Sequence, residues 1–333
     1  MRLTRRGWAV VGIVLGATAM AGAFGVRSLG AVVVPAVLAL GAAAVQGYRF
    51  DAPTVERDLP PSDHVGTSHE VTVAFDRDPP VHAIVHEETG SGLEATGTRR
   101  GVVLGEESLT YEVTYRERGV HTLGPISVAY RDVLGLTERT VTQWETDRLL
   151  VYPRIYRLDA GIRSRLTGLL EDANRSSRDE FDRLREYERG DALRDIHWKS
   201  SGKRPDDELV VKEFLADDAE ESIRLSVAAD EGGGDRMATV AASLIEYLLA
   251  SGIDVGLDAP DGSVPVDAGA PHRHELFSVL ATTGPGRPDV GEPSDFSVHV
   301  PASGPVRITV GDRSLAVDRA DADAGAGFEV VPA

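Results

Sequence analysis

A chain of 333 residues has room for two soluble domains and an anchor. Its 53 acidic against 35 basic residues give a net charge of −18, which argues against a nucleic-acid partner, since most of the surface would repel a phosphate backbone. Scarce lysine and abundant carboxylates fit work at high salt, as in a halophilic archaeon, and the lack of cysteine excludes disulfides, a thiol nucleophile and thiolate metal sites.

Residues 7–24 are uncharged and follow Arg2, Arg5 and Arg6; residues 29–45 form a second apolar stretch after a link that contains Arg27. Each is near the lower limit for crossing about 30 Å of hydrocarbon, so the pair reads as a transmembrane helical hairpin. The arginine asymmetry predicts that both ends, and everything beyond residue 50, lie in the cytoplasm. Ala21-Gly22-Ala23 also fits a signal-peptide cleavage site, but a second apolar stretch follows at once.

The polar, proline-bearing stretch 51–69 reads as a linker leading away from the bilayer. Short alternating runs at 70–75, 81–86, 101–104, 109–116, 126–131, 139–144 and 148–152 are predicted strands, separated by Gly, Pro, Asp and Ser turns. Seven such strands suggest an immunoglobulin-like β-sandwich over 51–153. His82, His86 and His121 lie in or beside them without the spacing of a metal site, and read as surface or strand-lining histidines.

A connecting segment with a helix over 162–170 leads into 180–214, the stretch that holds all three lysines, Lys199, Lys203 and Lys212. Between residues 175 and 204, nine basic side chains stand against seven acidic ones, a mildly positive island on an acidic protein. Gly190-Asp191 reads as a turn followed by an N-cap, because the aspartate can accept from the open donors of a first helical turn. The helix expected over 192–201 carries Asp195 four residues before Lys199 and Arg194 four before Trp198, and Gly202 ends it. After the Pro205-Asp206-Asp207 turn, residues 209–215 alternate as a strand.

The run Leu184-Arg185-Glu186-Tyr187, Gly190-Asp191, Arg194-Asp195-Ile196-His197-Trp198-Lys199 and Leu209-Val210-Val211-Lys212-Glu213-Phe214 resembles the signature of the family called domain of unknown function 58. The resemblance extends upstream to Arg118-Gly119, Leu123-Gly124-Pro125, Asp132-Val133-Leu134-Gly135-Leu136 and Val151-Tyr152-Pro153, and downstream to about residue 283. It implies a membrane anchor, a β-rich region before the signature, a von Willebrand factor A-like region after it, and a MoxR-type AAA+ ATPase as companion. It implies no reaction.

Beyond an acidic hinge at 216–221, a buried strand is predicted at 223–229, an amphipathic helix at 236–251 and a second strand at 254–257. Met237, Val240, Ala241, Leu244 and Leu248 share one face of that helix. The order strand, helix, strand implies a parallel crossover and an α/β layer. A further helix is expected at 274–283, and the Gly-, Pro- and Asp-rich tail offers strands only at 306–310 and 328–331. Where a von Willebrand-type domain carries Asp-x-Ser-x-Ser for magnesium, this chain reads Asp230-Glu231-Gly232-Gly233-Gly234, so the usual metal geometry is not expected. Asp230 with Asp235 in another arrangement stays open.

The predicted whole is an α+β multidomain chain: a transmembrane hairpin at 1–50, a β-sandwich at 51–153, a signature module at 154–216 and a von Willebrand factor A-like α/β domain at 217–333. Asp191, Asp195, His197 and Glu186 are its densest acid and base set, but His197 lies about 160° around the helix from Asp195, which does not make a convergent site. No phosphate loop, nucleophile elbow or zinc-binding His pair occurs. The expectation is therefore a scaffold or adaptor without catalytic residue, metal or cofactor; the alternative is a hydrolase or metal-dependent enzyme built on that acidic and histidine set. Partner docking is assigned to Arg185, Tyr187, Asp191, Arg194, His197, Trp198, Lys199 and Lys203, which also read as core aromatics and internal ion pairs.

Overall fold

The computed structural model describes residues 1–24, 27–180, 183–186, 210–213, 222–289, 294, 296–311, 313–319 and 327–330. The chain divides into two compact units, Met1–Tyr152 and Pro153–Ala333.

The first unit begins with β1 (Arg2–Leu3), α1 (Arg5–Phe24), a 3-10 turn (Arg27–Leu29) and α2 (Gly30–Tyr48). Both helices are long and apolar enough to cross a membrane, and the rest of the protein covers almost none of either. Ile13, Leu15, Val34 and Leu38 are all exposed, an arrangement that water would penalise and a hydrocarbon phase would not. The Thr18 hydroxyl donates to the Val14 carbonyl at 2.7 Å, which satisfies the one hydroxyl of α1 within its own backbone.

Strands follow in two sheets. β2 (Thr54–Asp58), β4 (Ser68–Asp76), β6 (Leu93–Thr96) and β8 (Leu109–Tyr115) form a sheet ordered β2-β4-β8-β6. β3 (Asp63–His64), β5 (Val81–Thr89), β7 (Arg99–Leu104), β9 (Gly119–Arg131), β10 (Thr137–Gln143) and β11 (Asp147–Tyr152) form the other, in which β1 pairs with β10, β9 lies between β10 and β11, and β5 joins β9 to β7. The alternation read from the sequence fixes their inner faces: Val71, Val73, Val85, Leu104, Val113, Leu123, Val128 and Val151 are buried in one core. All seven expected strands are present.

Two expectations fail: the tail carries strands besides those at 306–310 and 328–331, at Phe296–Val300 and Arg313–Arg319, and the stretch read as a linker is not one. Residues 51–69 carry β2, which pairs with β4 from Thr54↔Asp76 to Asp58↔Thr72, and β3, which pairs with β11. Nor does the chain leave α2 freely. Arg139 donates to the Gly47 and Tyr48 carbonyls at 2.8 and 2.7 Å, capping the helix with a cation where the open carbonyls gather. Phe50 is buried and stacks on Tyr130 with ring centroids 4.5 Å apart, and Arg77 lies over its other side. Helix α2 passes straight into the sandwich.

The second unit comprises β12 (Arg157–Leu158), α3 (Ala160–Glu180), β13 (Arg183–Glu186), β14 (Val210–Glu213), β15 (Ser222–Ala229), α4 (Gly234–Ala250), β16 (Asp254–Ala259), β17 (Gly262–Asp267), α5 (Ala270–Thr282), β18 (Phe296–Val300), β19 (Val306–Val310), β20 (Arg313–Arg319) and β21 (Gly327–Val330). Eight strands form one sheet in the order β12-β21-β20-β19-β18-β15-β16-β17. β15 is parallel to both neighbours, so the crossover expected from strand, helix and strand is present. All five apolar positions read on one face of α4 are buried, together with Leu225, Val227, Leu257, Phe296 and Val298 of the sheet.

Candidate functional site

The signature survives in the described residues as a pair of strands. β13 and β14 run antiparallel, with Arg183 opposite Glu213, Leu184 opposite Lys212, Arg185 opposite Val211 and Glu186 opposite Val210. The two ends of the signature, 27 positions apart at Arg183 and Val210, are thus held together by backbone pairing, and the intervening chain departs and returns at the neighbouring positions Glu186 and Val210. Of the docking residues only Arg185 falls in this ribbon. Tyr187, Asp191, Arg194, His197, Trp198, Lys199 and Lys203, and with them the expected helix over 192–201, lie outside the described residues.

The second site is the carboxyl edge of the parallel strands. The chain goes from β15 through α4 to β16 on one side, then returns through α5 to β18 on the other, which makes the end of β15 the point where strand order reverses. Asp230 follows β15 directly. Its Oδ2 accepts from the Ala302 backbone N–H at 3.1 Å, and its Oδ1 lies 3.4 Å from His299 Nε2 on β18. Its backbone joins in, donating to Val300 and accepting from Gly233, which closes the glycine turn into α4. Ala229 and Gly286 exchange two backbone hydrogen bonds of 2.9 Å, so the segment after α5 crosses the end of β15. Asp261, beyond β16, accepts from the Gly284 N–H at 2.7 Å and so secures that segment.

Both aspartates at this edge therefore hold loops through backbone donors. Among the described residues no three His, Asp or Glu side chains converge as metal ligands, and that includes Asp230 with Asp235 and the strand histidines His82, His86 and His121. His299 was not singled out from the sequence. Its place beside Asp230 depends on β18 lying next to β15, a neighbour relation that no local pattern encodes.

A buried ionic site in the sandwich was also missed. Arg57 Nε contacts Glu87 Oε1 at 2.6 Å, its NH1 group contacts Asp147 Oδ2 at 2.6 Å, and its NH2 group donates to the Glu145 carbonyl at 3.3 Å. Glu87 has no exposed side-chain surface and Arg57 almost none, whereas Asp147 is partly open to solvent. Burial pushes the Glu87 carboxyl above its ordinary range and outweighs the opposing pull of Arg57. Burial alone would lower the Arg57 guanidinium, but hydrogen bonds to Glu87 and Asp147 outweigh it and hold it above its ordinary value. Tyr111 is raised as well, by burial first and then by the charge of Glu87. Among the described residues, neither the Tyr111 hydroxyl nor Glu87 Oε2 has a hydrogen-bond partner.

No protein-family model matches the chain. A stretch of 184 residues is 26% identical to the uncharacterized protein YeaD of Bacillus subtilis, covering 52% of this chain and 45% of that protein, so the match spans less than half the relative's length. Among solved structures, the PKD domain of an M14-like peptidase from Thermoplasmatales archaeon SCGC AB-540-F20 is 18% identical, covering 30% of this chain and 92% of that one with a TM-score of 0.22. The Escherichia coli chaperone DraB is 11% identical, covering 42% and 67% with a TM-score of 0.22. Likenesses this low carry no argument.

Proposed function

We propose that the protein is a membrane-anchored, non-enzymatic scaffold or adaptor of the domain of unknown function 58 family, working with a MoxR-type AAA+ ATPase in the assembly or maturation of protein complexes. In this reading the sandwich is immunoglobulin-like, the second unit is a von Willebrand factor A-like domain without its metal corner, and both face the cytoplasm. The observation that carries it is the use of Asp230: the one acidic residue at the usual metal position spends an oxygen on the Ala302 N–H and faces His299 with the other. The corner is thereby suited to holding loops in place, and recognition falls to the signature and its basic residues.

At high salt the Debye length shrinks to about 3 Å, so charge complementarity acts only at contact and fixes register more than affinity. Apolar anchors such as Trp198 and Tyr187 then supply much of the energy. Co-purification from native membranes at working salt tests this: a Lys199→Glu, Lys203→Glu double variant is expected to lose most of the ATPase that wild type recovers. Equal recovery would remove the basic island as the docking site, and no recovery with either would remove the partner. Turnover of a phosphoester, peptide or glycoside by the purified protein, lost on Asp191→Asn or His197→Ala with melting unchanged, would favour the hydrolase instead.

The orientation has its own test. Protease added outside intact cells is expected to leave both units uncut, because three arginines before α1 outweigh the single arginine between the helices and favour both chain ends inside. Cleavage there would reverse the topology.

A further inference from the structure

The turn between β9 and β10, residues 132–136, is rigid and yet presents apolar side chains. Asp132 is buried and organises it: one carboxylate oxygen accepts from the Leu134 N–H at 2.9 Å, and the other accepts from the N–H and hydroxyl of Thr137. Gly135 takes a left-handed φ of 67° and donates to the Asp132 carbonyl at 2.8 Å. At its apex Val133 is 86% exposed and Leu134 52% exposed. A tight turn normally carries polar residues at such positions, so this pair calls for a covering phase.

The helices identify that phase, because the turn is fastened to both of them where they leave the sandwich. The Thr4 hydroxyl donates to the Gly135 carbonyl at 2.6 Å and accepts from the Gly7 N–H at 3.1 Å, so a single side chain caps α1 and grips the turn. On α2, Gln46 Oε1 accepts from the Val133 N–H at 3.5 Å. Exposed Trp8 and Tyr48 stand in the first turn of α1 and the last turn of α2, where a span carries its interfacial aromatic residues. Arg5 and Arg6, both exposed, begin α1 beside them.

We propose that the 132–136 turn is a third membrane contact, with Val133 and Leu134 entering the interfacial layer of the bilayer beside the two spans and Arg5 and Arg6 at the level of the headgroup phosphates. This rests on the reading of α1 and α2 as membrane spans. Three points at one level, two helix ends and a rigid turn, hold the sandwich at a fixed height and tilt, where two helices alone would leave it a hinge.

The cysteine-free chain permits a direct test. Val133→Cys, Leu38→Cys and Val120→Cys each introduce a single thiol for a nitroxide. Leu38 is exposed in the middle of α2, and Val120 is an equally apolar, exposed residue near the far end of β9. The full-length variants are reconstituted in vesicles of equal parts phosphatidylglycerol and phosphatidylcholine, and collisions with molecular oxygen, which prefers lipid, are compared with those of a water-soluble nickel chelate. The oxygen-to-nickel ratio at position 133 is expected to be several-fold above that at 120 and to approach that at 38. A ratio at 133 equal to that at 120, with 38 in lipid, would overturn the third contact and leave the spans standing. A water-like ratio at 38 would overturn the spans and the proposal with them.

Discussion

Arg57→Met is expected to destabilise the sandwich by about 3–5 kcal/mol at neutral pH, the range for stranding one member of a buried ion pair. Glu87 has no surface to which its charge can retreat, and its second oxygen already lacks a hydrogen bond. The arm to Asp147 adds little, since a partly exposed carboxylate is solvated without it. The pH dependence gives the effect its signature. Glu87 has a folded-state value above its unfolded one, so the folded state holds the extra proton, and stability falls as pH rises from the ordinary carboxylate range through the raised value. Removing the guanidinium moves that upper limit higher still, so the deficit of the variant should shrink as pH falls and Glu87 takes up its proton. The double variant Arg57→Met, Glu87→Leu is expected to lie within about 1–2 kcal/mol of wild type, because two apolar side chains leave no charge to solvate. Denaturant unfolding of the full chain in detergent at mildly acidic and mildly alkaline pH measures all three; a deficit below about 1 kcal/mol, or one indifferent to pH, would show that the pair is not holding a charge in a dry site.

This site marks the limit of what the sequence conveys. The alternation of Val71, Val73 and Phe75, or of Leu109, Tyr111 and Val113, announces strands because a half-buried sheet imposes a period of two that needs no knowledge of the partner. Arg57 sits in a stretch of Asp, Glu, Arg and Pro that reads as solvated linker, and the stretch becomes strand β2 by pairing with β4, which carries Arg57 to Glu87, thirty positions on. The α/β unit divides in the same way. Ile223 to Ala229 and the apolar face of α4 are legible because a strand buried on both faces and an amphipathic helix each have a local period. β18 follows a Gly- and Pro-rich approach, and its His299 meets Asp230 only because the chain crosses back to the other side of β15. Composition also fails at Thr4, Gly7 and Gly47. They look like ordinary members of a polar lead and two apolar runs, and they are among the points where the N-terminal segment touches the sandwich.

Gly7→Ala is accordingly expected to loosen the N-terminal helices from the sandwich while Gly12→Ala and Gly16→Ala do not. In the helix itself alanine is the better residue by about 1 kcal/mol, so on propensity alone all three changes would strengthen α1. Position 7 differs in what it faces: a Cβ there would stand 2.2 Å from the Leu136 carbonyl oxygen and 2.9 Å from Leu3 Cδ2, whereas at 12 and 16 it would meet nothing within 4 Å. The obstacle is backbone, belonging to a turn already locked by Asp132, and α1 itself is pinned by its Thr4 cap, so neither partner can yield without giving up hydrogen bonds. The net cost is placed at about 1–3 kcal/mol of docking, the range for an overpacked contact. A Gln46→Cys, Val133→Cys pair in the otherwise cysteine-free chain reports the docking through the yield of a short bifunctional maleimide cross-link. That yield should fall several-fold in the Gly7→Ala background and hold in the other two. Equal yields in all three would mean that the Arg139 cap on α2 and the Phe50 stack hold the helices to the sandwich without the close approach at Gly7.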